Sequence, residues 1–410
     1  MRWLGFCLLA TLIVTDSEAQ NWHSPHPWRA AAVVDGRDRD YNNEYFLHAF
    51  SYRHLLDQPA PLEEGIRGTA GSLTSDRLYM DFRYHQSFVF DNPDQAFTLD
   101  IQRSEDFDGS YDRQLVGFRQ TLAQRWQLSL QGDVFSDKSL TDIYFGARRL
   151  HGQGSWLQLS VVLPNAYFND KTDSQSELVD EPRTLFAQWH QQHSPRTSTT
   201  LSVNHTPNAT LDDRIRGDRV SSRQTRIALR HRAQYGDWQW QADLHGERTR
   251  RQHQLDENIA QLAFRRDMAS LTLAVRYRPH RWQPQVGARY FWLDEDGWFG
   301  RELNGNGEVS RQEPMLFGGI SLPLSDTQRL APTVTQRLAP TVYLSRPRVE
   351  QTVNSQQWRD RDDDTFVGKL SVPWHITVSK QNGAVLSIVP SMRLHRFAFG
   401  GGNVQLHWPL

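Results

Sequence analysis

Apolar and polar residues alternate strictly along many short stretches of this chain. Trp238-Gln239-Trp240-Gln241-Ala242-Asp243-Leu244-His245 is the cleanest case. The same pattern runs through Leu78–Tyr84, Phe97–Gln102, Trp126–Gln131, Leu271–Tyr277 and Val404–Trp408. A period of two places the apolar set on one face of a sheet and the polar set on the other. Helical spacing is sustained nowhere, so the pattern predicts an all-β chain.

Strands of about ten residues with one apolar and one polar face fit two architectures. A soluble sandwich turns its apolar faces toward each other. A transmembrane barrel turns them out to lipid and lines its interior with the polar set. Three features favour the barrel. The polar face carries Asp, Arg, Gln or His in nearly every strand, which suits a wet lumen. The apolar runs often end in Trp or Tyr, at Tyr84, Trp126, Trp156, Trp189, Trp238, Tyr277, Tyr290, Trp292, Trp374 and Trp408, as membrane interfaces select. Finally, a mean hydropathy of −0.66 coexists with 14 Trp, 12 Tyr and 20 Phe, as one-sided exposure to lipid requires.

Connection lengths supply an independent test. Short links are expected at Asp91–Asp94, near Ala123, and at Leu150–Gln153, Gln192–Arg196, Tyr235-Gly236 and Arg266–Met268. Longer ones lie between them, at Glu105–Asp112, Pro164–Pro182, Thr206–Ser222 and Glu247–Asp256, with Ser136–Ser139 a short exception. Tight periplasmic turns alternating with longer extracellular loops are the signature of a membrane barrel. The parity breaks after Tyr277, where a short link at Arg278–Trp282 is followed by three long ones at Asp294–Glu313, Pro323–Leu338 and Pro347–Asp364. Short turns return at Lys380–Asn382 and Phe397–Gly400. Asn43 to Tyr52 is the candidate for the first strand, with a helix turn as the alternative. The resulting count is odd, whereas single-chain bacterial barrels are even, so one assignment between about residues 265 and 345 must fail. The expectation is an antiparallel up-and-down barrel of about 18 strands, within 16 to 20.

Composition narrows the function classes. Lys plus Arg number 46 against 47 Asp plus Glu, for a net charge of −1, without the basic excess of a nucleic-acid binder. Beyond the N-terminus no apolar run is long enough for a spanning helix, and an aromatic content of 11% exceeds what a solvated coil tolerates. At the start, Arg2 precedes an apolar stretch from Trp3 to Val14 and a small-x-small end at Ser17-Glu18-Ala19, which describes a secretory signal peptide. The expected division is residues 1–19 as signal peptide, 20–42 as a short periplasmic segment and 43–410 as barrel. Cys7 is the single cysteine, so the exported part holds no disulfide. Thr327 to Val334 is repeated without change as Thr335 to Val342. Because nothing else repeats, the duplication reads as lengthening of a loop.

With these features and a terminal strand ending Leu406-His407-Trp408-Pro409-Leu410, the chain resembles the Gram-negative outer-membrane β-barrel class. The resemblance is one of architecture and matches no particular porin family by motif. It implies an outer-membrane location, contact with lipid and lipopolysaccharide, and recognition by the barrel-insertion machinery. Members usually end on Phe or Trp; here Pro409-Leu410 follows Trp408, a departure from that terminal signal.

The candidate lumen-lining residues are Asp81, Arg83, Asp100, Asp133, Arg226, Arg230, Asp243, His245, Arg276 and Arg289. Opposed charges around a lumen set up a transverse field that orients polar or anionic solutes. The other reading is a packed, salt-bridged interior that conducts little. The chain has 42 arginines against four lysines, and arginine outside the rim suits bidentate contact with phosphate. Residues 302–313 fit a twelve-residue calcium loop. Glu302, Asn304, Asn306, Glu308, Ser310 and Glu313 are its oxygen-bearing residues, and Gly307 stands at the turn. Glu302 in the place of the usual Asp and the following Pro314 depart from the motif, and the alternative is a turn-rich loop. No other cofactor is implied, and no catalytic motif is present. The reading is a porin-like channel for polar solutes or an exported polymer. A structural barrel anchoring a periplasmic export or surface complex is the alternative, and an outer-membrane hydrolase with its site assembled across strands is a third.

Overall fold

The computed structural model describes residues 64–410 except the stretches 73–77, 107–108, 134–142, 164–175, 181–182, 214–217, 256–260, 279–281, 299–305, 326–334, 354–355 and 359–364 and positions 124, 153 and 380. The expected signal peptide, the 20–42 segment and the candidate strand at 43–52 lie outside the described residues.

The hydrogen-bonded segments are β1 (Gly65–Ser72), β2 (Leu78–Val89), β3 (Gln95–Asp106), β4 (Gly109–Leu122), β5 (Trp126–Asp133), β6 (Ile143–His151), β7 (Ser155–Leu163) and β8 (Ser176–Asp180). They continue as β9 (Thr184–Ser194), β10 (Thr197–Asp213), β11 (Asp218–Tyr235), β12 (Trp238–Leu255), β13 (Gln261–Tyr277), β14 (Gln283–Trp298) and β15 (Asn306–Ser325). The last are β16 (Thr335–Leu338), β17 (Thr341–Ser345), β18 (Arg348–Val353), β19 (Gln356–Trp358), β20 (Val367–Ser371), β21 (Trp374–Ser379), β22 (Ala384–Arg393) and β23 (Ala398–Pro409). β8 and β9 pair with successive parts of β10 and form one interrupted pass. β16–β18 and β19–β21 are interrupted passes of the same kind. The chain therefore makes eighteen antiparallel passes. β1 closes the ring on β23, from Gly65 opposite Pro409 to Ser72 opposite Gly402. Closure leaves no edge strand to be satisfied by another chain.

Side-chain contacts identify the concave face. Gln131 Nε2 on β5 donates to Thr98 Oγ1 on β3 at 3.1 Å, passing over Gly117 on the intervening β4. Gln285 Nε2 on β14 likewise reaches Thr341 Oγ1 on β17 at 3.3 Å, across β15. Strands two apart are separated by roughly 9.5 Å, so short polar side chains meet over that gap only where the sheet curves toward them. All four residues belong to the buried set, and that set faces the interior. The opposite parity is apolar and open: Leu271 is 43% exposed, Leu273 50%, Leu159 54% and Leu316 65%. Apolar outside and polar inside is the inverse of a soluble core and the polarity of a membrane-spanning barrel. Along the end with the shorter connections, Trp238 and Tyr277 meet directly across β12 and β13 with ring centroids 4.9 Å apart, part of an aromatic girdle. The hairpin between those strands' predecessors closes at Gly236, whose φ of +55° is accessible to glycine without strain.

Several expectations are corrected. Arg266–Met268 is no turn: β13 runs unbroken through it, which removes the odd pass. Among the described residues, the connections expected at Glu105–Asp112, Thr206–Ser222, Glu247–Asp256 and Asp294–Glu313 are strand. Beyond the apolar band the outward face turns charged, at Arg223, Arg248, Arg250 and Arg265, so alternation fades while the backbone ladder continues. The second octapeptide copy is wall and not loop: Thr335–Leu338 is β16, and Thr341 and Val342 begin β17. Trp156 does not join the outer girdle but faces inward, stacked on His190 with Arg148 over its ring. Nor is the inner face wholly polar: Met268, Phe291, Leu293, Met315, Phe317 and Tyr343 form a buried inward cluster across β13–β17.

Candidate functional site: the charged inner wall

Cross-strand register builds the inner wall. On β11–β14, Arg226 lies directly opposite Glu247, and Arg266 directly opposite Glu295. The Arg226 Nε donates to Glu247 Oε2 at 2.9 Å, and Arg266 Nε to Glu295 Oε1 at 2.7 Å. Arg266 Nη1 also reaches Glu247 Oε1 at 3.2 Å, which joins the two pairs into a chain of alternating charge over four strands. The Glu247 carboxylate is only 1% exposed. Charges held this far from water persist only when paired and hydrogen-bonded, and Thr249 Oγ1 supplies a further donor to Glu247 at 3.1 Å.

Nearer the short-turn end, Arg230 faces Asp243 at 2.5 Å with both side chains partly open. His245 lies between Asp243 and Glu247 on the same face of β12 and is buried. Arg276 donates from Nε and Nη2 to Gln285 Oε1 at 3.1 and 2.7 Å. Arg289 shares the inward parity of β14 with Gln285 and Glu295 and is half-buried. On the wall formed by β2–β5, Arg83 Nη2 meets Asp100 Oδ2 at 2.5 Å, and His85 Nδ1 lies 3.1 Å from the same oxygen. Asp133, the last residue of β5, is fully buried and accepts from the Gln114 backbone amide at 3.4 Å. Asp81 holds the strand position two before Arg83 and shares its parity.

Nine of the ten expected lumen residues therefore have inward, buried or half-buried side chains, distributed over two walls. Sequence reading did not assign Glu247, Arg266, Glu295, Glu313 or Lys369 to the lumen, and all five are buried on the inner face. The first four fell in stretches assigned to connections. Continuing the period of two past the apolar band would have found them.

The calcium-loop expectation falls only in part on the described residues. Asn306–Glu313 form the start of β15, paired residue for residue with Phe291–Trp298. An extended strand sends successive side chains to opposite faces, so Glu308 and Ser310 share one parity of β15 and Glu313 has the other. Glu313 is instead bound to Arg311 at 2.9 Å. Glu302 and Asn304 lie outside the described residues, and among the described residues no three His, Cys, Asp or Glu are grouped to hold a metal.

An interior of closely opposed fixed charges can replace part of a polar solute's hydration and orient it across the lumen without holding it tightly.

No protein-family model and no curated protein matches the chain. Among solved structures it is similar to the outer-membrane protein OpdK of Pseudomonas aeruginosa, at 12% identity and a TM-score of 0.39 over 84% of this chain and 97% of that one. A second is P. aeruginosa OccK2 (OpdF) in complex with glucuronate, at 14% identity and TM-score 0.37 over 83% and 94% of the two chains. A third is a BenF-like porin from Pseudomonas fluorescens Pf-5, at 13% identity and TM-score 0.37 over 84% and 96%.

Proposed function

We propose that this chain is a porin-like channel of a Gram-negative outer membrane, giving passive passage to polar solutes or an exported polymer. The observation that carries the reading is the inverted polarity of a closed eighteen-pass barrel, with leucine and aromatic residues outside and arginine–carboxylate pairs inside. Lipid selects the first surface, and water or a polar solute selects the second. Paired arginines and carboxylates give the passage both signs of charge, which suits zwitterionic or oriented polar solutes better than a single ion type.

The test is conductance in planar lipid bilayers. Stable, ohmic steps that persist without any added partner support the reading. Full insertion with no conductance under any applied voltage overturns it. One observation favours a second reading, a structural barrel anchoring an export or surface complex: the Arg226–Glu247–Arg266–Glu295 chain is buried as completely as packing contacts are. Insertion without conductance, together with co-purification of a periplasmic partner, selects that alternative. A catalytic role is not built into either reading.

A further inference from the structure

Outside the barrel, just beyond the apolar band, three arginines stand side by side. Arg223 on β11 is directly opposite Arg250 on β12, which is directly opposite Arg265 on β13. All three share the outward parity of Ile227, Leu244 and Leu271 and are exposed. Like charges directly across a ladder destabilise a sheet, so a row of three calls for a counter-charge. Arg265 has one in Asp267, at 2.7 Å, and Asp267 also binds Arg248 from the adjacent row at 2.5 Å. Asp294 lies 3.9 Å from Arg265, and Asp296 is opposite it. The acids therefore sit toward β13 and β14. Arg223 and Arg250, on the other side, engage no ion pair or hydrogen bond among the described residues.

Height locates this row. Arg250 is twelve residues beyond Trp238 along β12. At about 3.4 Å per residue and a tilt of about 40°, that is ~31 Å above the lower aromatic girdle. The apolar band of an outer-membrane barrel is about 25 Å tall, so the guanidinium groups lie at headgroup level, at the end carrying the longer connections.

We infer that Arg223 and Arg250, flanked by Arg248, form a docking site for the phosphate of a phosphorylated outer-leaflet glycolipid, whose acyl chains lie against the apolar band formed by Ile227, Leu244 and Leu271. Guanidinium forks bind phosphate oxygens bidentately, and the ligand's tails and head match the two surfaces that adjoin here. The inference rests on the outer-membrane reading above and goes beyond it, since a conducting pore needs no such site.

The test uses the full-length protein in detergent micelles and native mass spectrometry with two probes, bisphosphorylated lipid A and the same lipid stripped of phosphate. Wild type is expected to prefer the phosphorylated probe by about ten-fold, the scale of one or two charge-assisted hydrogen bonds. The R223Q/R250Q double variant loses that preference, and R223K/R250K keeps part of it. Arg149→Gln, an exposed arginine stacked over Trp126 at the opposite rim, leaves it unchanged. An undiminished preference in R223Q/R250Q overturns the proposal, and so does an equal loss in R149Q, which reports bulk charge only. Displacement of the lipid by inorganic phosphate at equal concentration also overturns it, by making the ligand a free anion. Conductance of the double variant in glycolipid-free bilayers stays at the wild-type level; a non-conducting wild type sinks the channel reading without altering the lipid result.

Discussion

Arg226 and Glu247 meet at 2.9 Å directly across β11 and β12, with side chains 9% and 1% exposed, and Glu247 is shared with Arg266. The pair faces the barrel interior at the level where the outer surface changes from apolar to charged: the next outward residue on β12 after Glu247 is Arg248. One carboxylate thus ties three strands together near the upper edge of the apolar band.

Removing that carboxylate leaves two buried guanidinium groups without their common acid. Glu247→Gln is expected to destabilise the barrel by about 3 kcal/mol or more, the cost of breaking a buried pair from one side. Denaturant unfolding in micelles, followed by the electrophoretic shift between folded and unfolded forms, measures it. A loss below about 1 kcal/mol shows that the chain of charges is solvated.

Arg230 and Asp243 are more open, so their effect belongs to permeation more than to stability. Arg230→Gln leaves Asp243 facing the interior without its cation. The reversal potential in a potassium chloride gradient is expected to move toward cation preference. A shift toward anions contradicts the placement of this pair on the conduction path.

Leu271 faces lipid in the middle row of the band, between Leu244 and Tyr290. Leu271→Arg is expected to cost about 2–4 kcal/mol, whereas Tyr235→Arg at the rim costs about 0–1 kcal/mol. Equal costs at the two depths, by unfolding in lipid, argue against a membrane on this face.

Gly117 lies beneath the Gln131–Thr98 bridge. A Cβ there meets Gln131 Cγ at 2.4 Å and approaches the Leu130 carbonyl still more closely, whereas one at Gly132 meets nothing within 4 Å. Gly117→Ala is therefore expected to lose about 1–3 kcal/mol, as overpacking does, and Gly132→Ala is expected to be neutral. The difference between the two midpoints checks it.

Ser325 pairs with Gln336 at the end of β15 and β16. Deleting residues 327–334 leaves only Asp326 and Thr335 between them, the length of a two-residue hairpin. The shortened chain is expected to fold with its unfolding midpoint unchanged, because the retained octapeptide already forms the wall. Failure to insert shows that the longer connection is needed.

Within the membrane band the sequence was highly legible. Trp238–His245 alternates because one face meets lipid and the other does not, and the structure places those residues accordingly. Legibility ended where lipid ended. Glu247, Arg266 and Glu295 belong to strands that continue beyond the band, where the outward face turns charged, so their loss of alternation resembled a loop. The calcium-like spacing at 302–313 met a related limit: a one-dimensional match of oxygen-bearing residues says nothing about whether the backbone curls or, as at 306–313, runs straight.

The amino-acid order by itself determined the sheet and its two-faced character, because both follow from a local period of two, and its interfacial aromatics and charged polar face favoured turning the apolar side to lipid. Tertiary structure alone decided which charges meet. Arg226 finds Glu247 and Arg223 finds Arg250 through register, which is set by the cumulative pairing of long strands. Closure was also decided there. β1, a glycine-rich segment with little apolar signal, becomes a wall strand because β23 offers it a complete row of unpaired backbone groups, which cannot be left unsatisfied in a membrane.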